Sequence, residues 1–342
     1  MKKIDEIDKN LAVKPIAERD GMRFFDVCSE PFGIYGVTHD TEFQRLPKEV
    51  AKTVSDGVYS LHGHTAGGCV HFRTNSKRVA IRCEMAAVTN FSHMPATGTH
   101  GFDLYADGEY WGTFVPPTDM TDGYESVINF PDMSMRGLTI NFPLYNGVTN
   151  LYVGLDNGSE CKSFNPYRSD KPIVYYGSSI TQGGCASRPG MCYQAIISRR
   201  LGIPNINLGF SGSALGETKM AEYIAGIEMC AFVFDYDYNA PNAEHLRNTH
   251  EKFFKIVRKA NPNLPIIMLS QHSDRIPEAE ERRQIIFDTY NNAVKNRDNN
   301  VYYIDGFTLF PNRDCTVDGC HPTDLGFWFM SEKIGDVLAK IL

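Results

Sequence analysis

Residues 173–184 read IVYYGSSITQGG: an apolar, β-prone run that passes abruptly into glycine and hydroxyl side chains. Such a boundary marks a short strand turning toward a helix. Four further apolar runs follow it, INLG (206–209), AFVFD (231–235), PIIMLS (265–270) and VYYID (301–305), separated by segments of helical length. Between AFVFD and PIIMLS, Leu246, His250, Phe253, Phe254 and Val257 fall on one helical stripe. Phe327, Met330, Ile334, Leu338 and Ile341 repeat that spacing at the end of the chain. Strands alternating with helices predict an α/β domain over 172–342, with a five-stranded parallel sheet between helices. In such sheets ligands bind at the carboxyl ends of the strands.

Upstream the period is different. Val79, Ile81, Cys83 and Met85 alternate with Arg78, Ala80, Arg82 and Glu84. Leu138, Ile140, Phe142 and Leu144 repeat the period of two, as do Leu151, Val153 and Leu155. This is the pattern of strands buried on one face. Asp107-Gly108 lies between FDLYA and EYWGTFV and predicts a hairpin, and Asn157-Gly158 predicts a second turn. With no long amphipathic helix in this half, an antiparallel β-sandwich or jelly roll is expected over 1–165. The polar stretch NGSECKSFNPYRSDKP (157–172) is expected to be a linker.

The chain has 342 residues, 42% hydrophobic and 22% charged, which suits a folded protein of about two domains. Its 34 basic and 41 acidic side chains leave a net charge of −7, against a nucleic-acid partner. No run approaches the roughly 18 apolar residues of a membrane span. Asp5, Glu6 and Asp8 occupy the place where a signal peptide would be apolar, so a cytoplasmic location is expected, unless a leader has been removed and the protein is exported. The nine cysteines suggest free, mostly buried thiols, with a Cys315–Cys320 pair as the one disulfide to consider.

At the predicted strand ends stand four groups of polar and small residues. Gly177 to Gly184 lacks the Gly-Lys-Ser/Thr ending of a phosphate loop. It can present Ser179 as a nucleophile beside backbone N–H donors, or be only a hydroxyl-rich turn. Glycines in NLGFSGSA (207–214) can expose backbone N–H groups, and Asn239 in DYDYNAP (235–241) can offer an amide to the same crevice. In DGCHPTDLG (318–326), Asp318 stands three residues before His321 and can accept its Nδ1 proton, leaving Nε2 free to take one from a serine. The alternative there is a turn opening the last helix, with Asp318 or Asp324 as its cap.

Together, YYGSSITQG, NLGFSGSA, DYDYNAP and DGCHPTDLG resemble the four sequence blocks of the SGNH, or GDSL-type, hydrolases, across residues 172–342. HGFDLYADGEYWG (100–112) is similar to the signature of a β-sandwich module (the GxDLY type) that precedes some bacterial SGNH esterases. The resemblance implies a flavodoxin-like catalytic domain with Ser179 as nucleophile, His321 as general base and Asp318 orienting it. It implies an oxyanion hole made by the Ser179 and Gly212 N–H groups and the Asn239 amide. The sequence departs from the family at Ser178 and Ala240, where aspartates are usual; neither position carries the nucleophile, the base or a donor. The implied reaction is hydrolysis of an O-acyl ester, needing no metal or cofactor, on a small-molecule or glycan substrate, with a carbohydrate O-acetyl ester expected. The alternatives are an esterase of lipid or small-molecule acyl groups and a glycan-binding protein with an inactive hydrolase half.

Three other groups compete for attention. His62 and His64, expected on one strand face with His71 nearby, suggest zinc, but no further ligands at characteristic spacing accompany them. Asp235 and Asp237 suggest a glycosidase pair without indicating the separation such chemistry needs. Tyr236 and Tyr238 can stack on substrate or simply pack.

Overall fold

The computed structural model describes residues 21–342, so the acidic N-terminal stretch with Asp5, Glu6 and Asp8 lies outside the described residues. Two antiparallel sheets come first. One has the order Met22–Asp26, Asn150–Asp156, Arg78–Glu84, Gly123–Asn129. The other runs Cys161–Lys162, Cys69–Thr74, Arg136–Asn141, Phe102–Ala106, Glu109–Phe114, and Gly33–Tyr35 also pairs with Cys69–Thr74. Alternation decides what faces inward. Val79, Ile81 and Cys83 lie opposite Leu155, Val153 and Leu151, and all are buried against Phe72, Leu104, Leu138 and Ile140 of the second sheet. Burial of each such side chain stabilises the sandwich by about 1.5–3 kcal/mol. Asp107 and Gly108 take φ of +49° and +88°, the left-handed pair that a two-residue hairpin needs.

Several expectations for this half need correction. The helices Lys48–Val54 and Asp56–Leu61 interrupt the strands but are short, in keeping with the lack of a long amphipathic pattern. The expected linker contains a strand: Cys161 and Lys162 pair with Thr74 and Arg73, extending the second sheet. His62 ends the helix Asp56–Leu61 and His64 forms an isolated antiparallel bridge to Gly147, so the two share no strand face. His71 is on a strand but is buried, bonded to Thr139 Oγ1 at 2.8 Å and the Tyr167 hydroxyl at 3.1 Å, and burial pushes its ring down to about 3. It is a core histidine. All nine cysteines are free. Cys315 is buried while a Thr316–Pro322 backbone bridge closes the loop, so Cys315 and Cys320 do not pair.

The parallel sheet has the order Asn205–Gly209, Ile173–Gly177, Ala231–Asp235, Ile266–Leu269, Val301–Ile304. Counted within this half, that is 2-1-3-4-5, the flavodoxin-like winding. Both faces are covered. Val174 and Tyr176 meet Leu246, Phe253 and Val257 of the helix Ala243–Ala260, as the apolar stripe predicts. Ile173 and Tyr175 point the other way, into a core with Ile197, Phe327, Met330, Ile334 and Leu338. Among the described residues, no helix is long and apolar enough to cross a membrane.

The two halves are fastened by the 100–112 segment. Asp103 is fully buried, with Oδ2 accepting from Arg188 Nη1 and the Gly190 N–H, each at 2.8 Å. Its Oδ1 accepts from Asn141 Nδ2 at 2.7 Å. Arg188 also donates to the Tyr105 hydroxyl at 2.7 Å and lies over the Tyr110 ring. A second tie is the buried Arg45, which donates to the carbonyls of Asn207 and Gly209 in the parallel sheet.

Candidate active site

Ser179 opens the helix Ser179–Gln182 directly after the strand Ile173–Gly177. The residues around it follow from space. A Cβ on Gly177 would stand 2.0 Å from the Asp235 carbonyl oxygen and 2.1 Å from Thr181 Oγ1, so glycine alone fits there. Ser178 is the helix cap, its hydroxyl accepting from the Ile180 N–H at 3.2 Å. Serine at 178 thus satisfies one of the free N–H groups at the helix start. Below the helix, Gln182 binds the Ser211 N–H through Oε1 at 3.0 Å and the Leu144 carbonyl through Nε2 at 3.1 Å. Tyr145, from the sandwich half, donates to the Ser179 carbonyl at 3.1 Å.

His321 arrives from the other end of the chain. The Thr316–Pro322 bridge closes a loop in which Asp318 Oδ1 accepts from the N–H groups of Cys320 at 3.0 Å and His321 at 2.7 Å. Asp318 Oδ2 meets His321 Nδ1 at 2.7 Å, and His321 Nε2 meets Ser179 Oγ at 2.8 Å. Burial pushes the Asp318 carboxyl up, but the His321 ring and the two N–H groups outweigh it and hold it at about 2. The carboxylate thus stays charged opposite the imidazole, which fixes the ring and leaves Nε2 facing the serine. Neither Asp318 nor Asp324 caps the last helix; Thr323 does, accepting from the Gly326 N–H. The Asp324 carboxylate instead receives the Ser187 N–H at 2.8 Å.

The strand register gathers the remaining residues. Gly177 lies beside Gly209 on one side and Asp235 on the other, so the loops bearing Ser179, Gly212 and Asn239 leave adjacent strands at one level. Gly212 takes φ of +65°, and a Cβ there would meet nothing within 4 Å. The backbone angle, rather than crowding, favours glycine. Among the described residues, the Ser179 and Gly212 N–H groups donate to no other group. One Asn239 amide hydrogen is used on the Phe210 carbonyl at 2.9 Å, which ties this side chain to the loop carrying Gly212 and leaves its second hydrogen.

Asp235 and Asp237 are buried beneath this surface, and desolvation raises both carboxyls. Asp237 accepts from the Gln271 N–H, and Asp235 from Thr181. They are structural, not an exposed glycosidase pair. Tyr236 is likewise buried, packed on Phe234 and Tyr176. Sequence reasoning missed Tyr145, Gln182, His93 and Cys185. His93 has its ring centroid 5.6 Å from that of His321. Tyr145 and His93 come from the sandwich half, and no local pattern announces a contact made across two domains.

The family model of GDSL-like lipases/acylhydrolases matches residues 170–339, and that of the N-terminus of SGNH-hydrolase-type esterases matches residues 22–161. A Bacteroides ovatus ATCC 8483 protein described as a GDSL-like lipase is 27% identical, with TM-score 0.85 over 94% of this chain and 98% of its own. The salicylyl-acyltransferase SsfX3 from a tetracycline biosynthetic pathway is 19% identical, with TM-score 0.78 over 94% and 98% of the two chains. An acetyl xylan esterase from the rumen bacterium Butyrivibrio proteoclasticus is 13% identical, with TM-score 0.61 over the same shares, 94% and 98%. At these identities the last two share the fold. No curated protein sequence matches the chain.

Proposed function

Since the chain belongs to the GDSL-like lipase/acylhydrolase family and is an SGNH-type esterase, we propose that it removes O-acetyl groups from carbohydrate through an acyl-enzyme on Ser179. The observation that carries this reading is the unbroken chain from Asp318 through His321 to Ser179, with contacts of 2.7 and 2.8 Å. Ser179 Oγ attacks the ester carbonyl as His321 Nε2 takes its proton, and Asp318 stabilises the imidazolium. The Ser179 and Gly212 N–H groups and the Asn239 amide receive the oxyanion, each such donor contributing about 2.7–4 kcal/mol to the transition state. Collapse expels the alcohol, which takes the proton back from His321. Water, deprotonated by the same nitrogen, then attacks the acyl-serine, and acetate leaves as Ser179 recovers its proton.

The acetyl and carbohydrate parts of the reading are supported by the fold shared with the acetyl xylan esterase and with a family two carbohydrate esterase from Clostridium thermocellum. One panel tests them: acetate release from acetylated xylan and other acetylated glycans, against p-nitrophenyl esters of increasing chain length. Efficient acetate release and a steep fall beyond short acyl chains are expected. A preference for long acyl chains would replace the reading with a lipid esterase. Glycan binding without turnover would leave a binding protein. Ser179→Ala is expected to abolish covalent labelling by a fluorophosphonate, and persistent labelling would remove Ser179 as the nucleophile.

A further inference from the structure

Three potential metal ligands converge at the mouth of this site. One ligand atom each from His93, Cys185 and His321 lies within 4.8 Å of the others, and this is the one such group found among the described residues. They come from three places: the sandwich loop before the helix Ala96–Thr99, the turn after the Ser179 helix, and the Asp318–His321 loop. Cys185 is buried and sits at φ of +73°, an unusual angle for a side chain other than glycine. The turn is held from both halves: Thr97 donates to the Ser187 carbonyl at 2.6 Å, and Asp324 takes the Ser187 N–H.

Two nitrogens and one sulfur form the donor set that suits zinc. Tetrahedral zinc, with bonds of about 2.0–2.3 Å, needs its donors about 3.3–3.8 Å apart. With the three ligand atoms within 4.8 Å of one another, side-chain adjustments of roughly an ångström bring them to that spacing. The surroundings of His321 are those of a zinc-binding histidine as much as of a catalytic one. Its Nδ1 is bonded to the Asp318 carboxylate, the outer partner that commonly orients a zinc ligand, so Nε2 is the coordinating atom.

We propose that His93, Cys185 and His321 bind zinc or a similar divalent cation, and that filling this site switches the esterase off by occupying the nitrogen that would deprotonate Ser179. The site stands on geometry alone; the switch rests on the function proposed above. Two neutral imidazoles each give a lone pair. The Cys185 thiol releases its proton to solvent and forms the Zn–S bond, and the fourth position is left to water.

The test uses the full chain, freed of metal with a chelator. Cobalt(II) alone is expected to give a thiolate-to-cobalt charge-transfer band in wild type and in Ser179→Ala, and none in Cys185→Ser. Zinc affinity, by calorimetry, is expected to fall at least tenfold in His93→Ala, and about 10–100-fold in Asp318→Asn. Zinc at saturation is expected to remove more than about nine-tenths of wild-type p-nitrophenyl acetate hydrolysis, with full recovery on chelation, as coordination through His321 requires. In His93→Ala, half-inhibition is expected at tenfold or more higher zinc. Absence of the band in wild type overturns the site. So does unchanged zinc affinity in both Cys185→Ser and His93→Ala, when each melts like wild type. A wild type that binds zinc through the thiolate yet keeps its rate overturns the switch. A Ser179→Ala protein that binds zinc normally, beside a wild type inactive on every ester, keeps the site and defeats the functional reading.

Discussion

Replacing Asp103 by asparagine is isosteric, yet it strikes the fastening between the two halves. Asp103 Oδ2 accepts from Arg188 and from the Gly190 N–H, and an amide NH2 in that place would oppose two donors. Asparagine's remaining oxygen can still accept from Asn141 Nδ2. Arg188 would then keep the Tyr105 hydroxyl and the Tyr105 and Tyr110 rings as partners, with no counter-charge. Removing one partner of a buried ion pair costs about 3–5 kcal/mol, because the other charge stays desolvated. Arg188→Met in the same chain removes that stranded charge, so the double variant is expected to lose at least about 1 kcal/mol less than the sum of the two single losses. Urea unfolding can follow each half separately, since the two tryptophans are divided between them, Trp111 in the sandwich and Trp328 in the last helix. Trp111→Phe and Trp328→Phe backgrounds then report one half each. With the fastening intact the two transitions coincide; in Asp103→Asn they separate. A loss below about 1 kcal/mol, or a loss equal with and without Arg188, would show that the GxDLY segment does not hold the halves together through this pair.

Two further outcomes concern catalysis. Asn239→Ala is expected to lower kcat by about 10²–10³ with little change in melting temperature, and a loss under about threefold would place the amide outside the oxyanion hole. The rate should also fall in acid with a slope of one. The proton acceptor is an imidazole that must be neutral, whereas Asp318, held at about 2, is ionised throughout the working range. The sign for stability follows from the same carboxyl: its folded value is depressed, so its contribution is complete above about pH 4 and disappears as pH falls through about 2. A limb steeper than one in kcat/KM would show a second group, such as Asp318, gaining a proton in the same range and refute its hydrogen-bonded state.

Much of this molecule is written locally. The period of two in Val79–Met85 and the period of 3.6 in Leu246–Val257 report which side of a strand or helix meets a core, because side-chain direction repeats with backbone geometry. The Ser179 loop, Asn239 and Asp318–His321 were legible for a related reason: parallel winding delivers strand ends to one edge, so residues at those ends are brought together by the topology. The strand within the supposed linker was not legible, because Cys161 and Lys162 become a strand only through pairing with distant Thr74 and Arg73. Nor was the fate of His62 and His64, which depends on a helix only six residues long. The sequence by itself determined the two layer architectures and the catalytic candidates, since both rest on periodicity and on short-range loop chemistry. Tertiary structure alone decided what the sandwich does at the site. Tyr145 beneath Ser179, His93 beside His321 and Asp103 against Arg188 are contacts between residues dozens to hundreds of positions apart, and their partners are set by how two separately patterned cores pack.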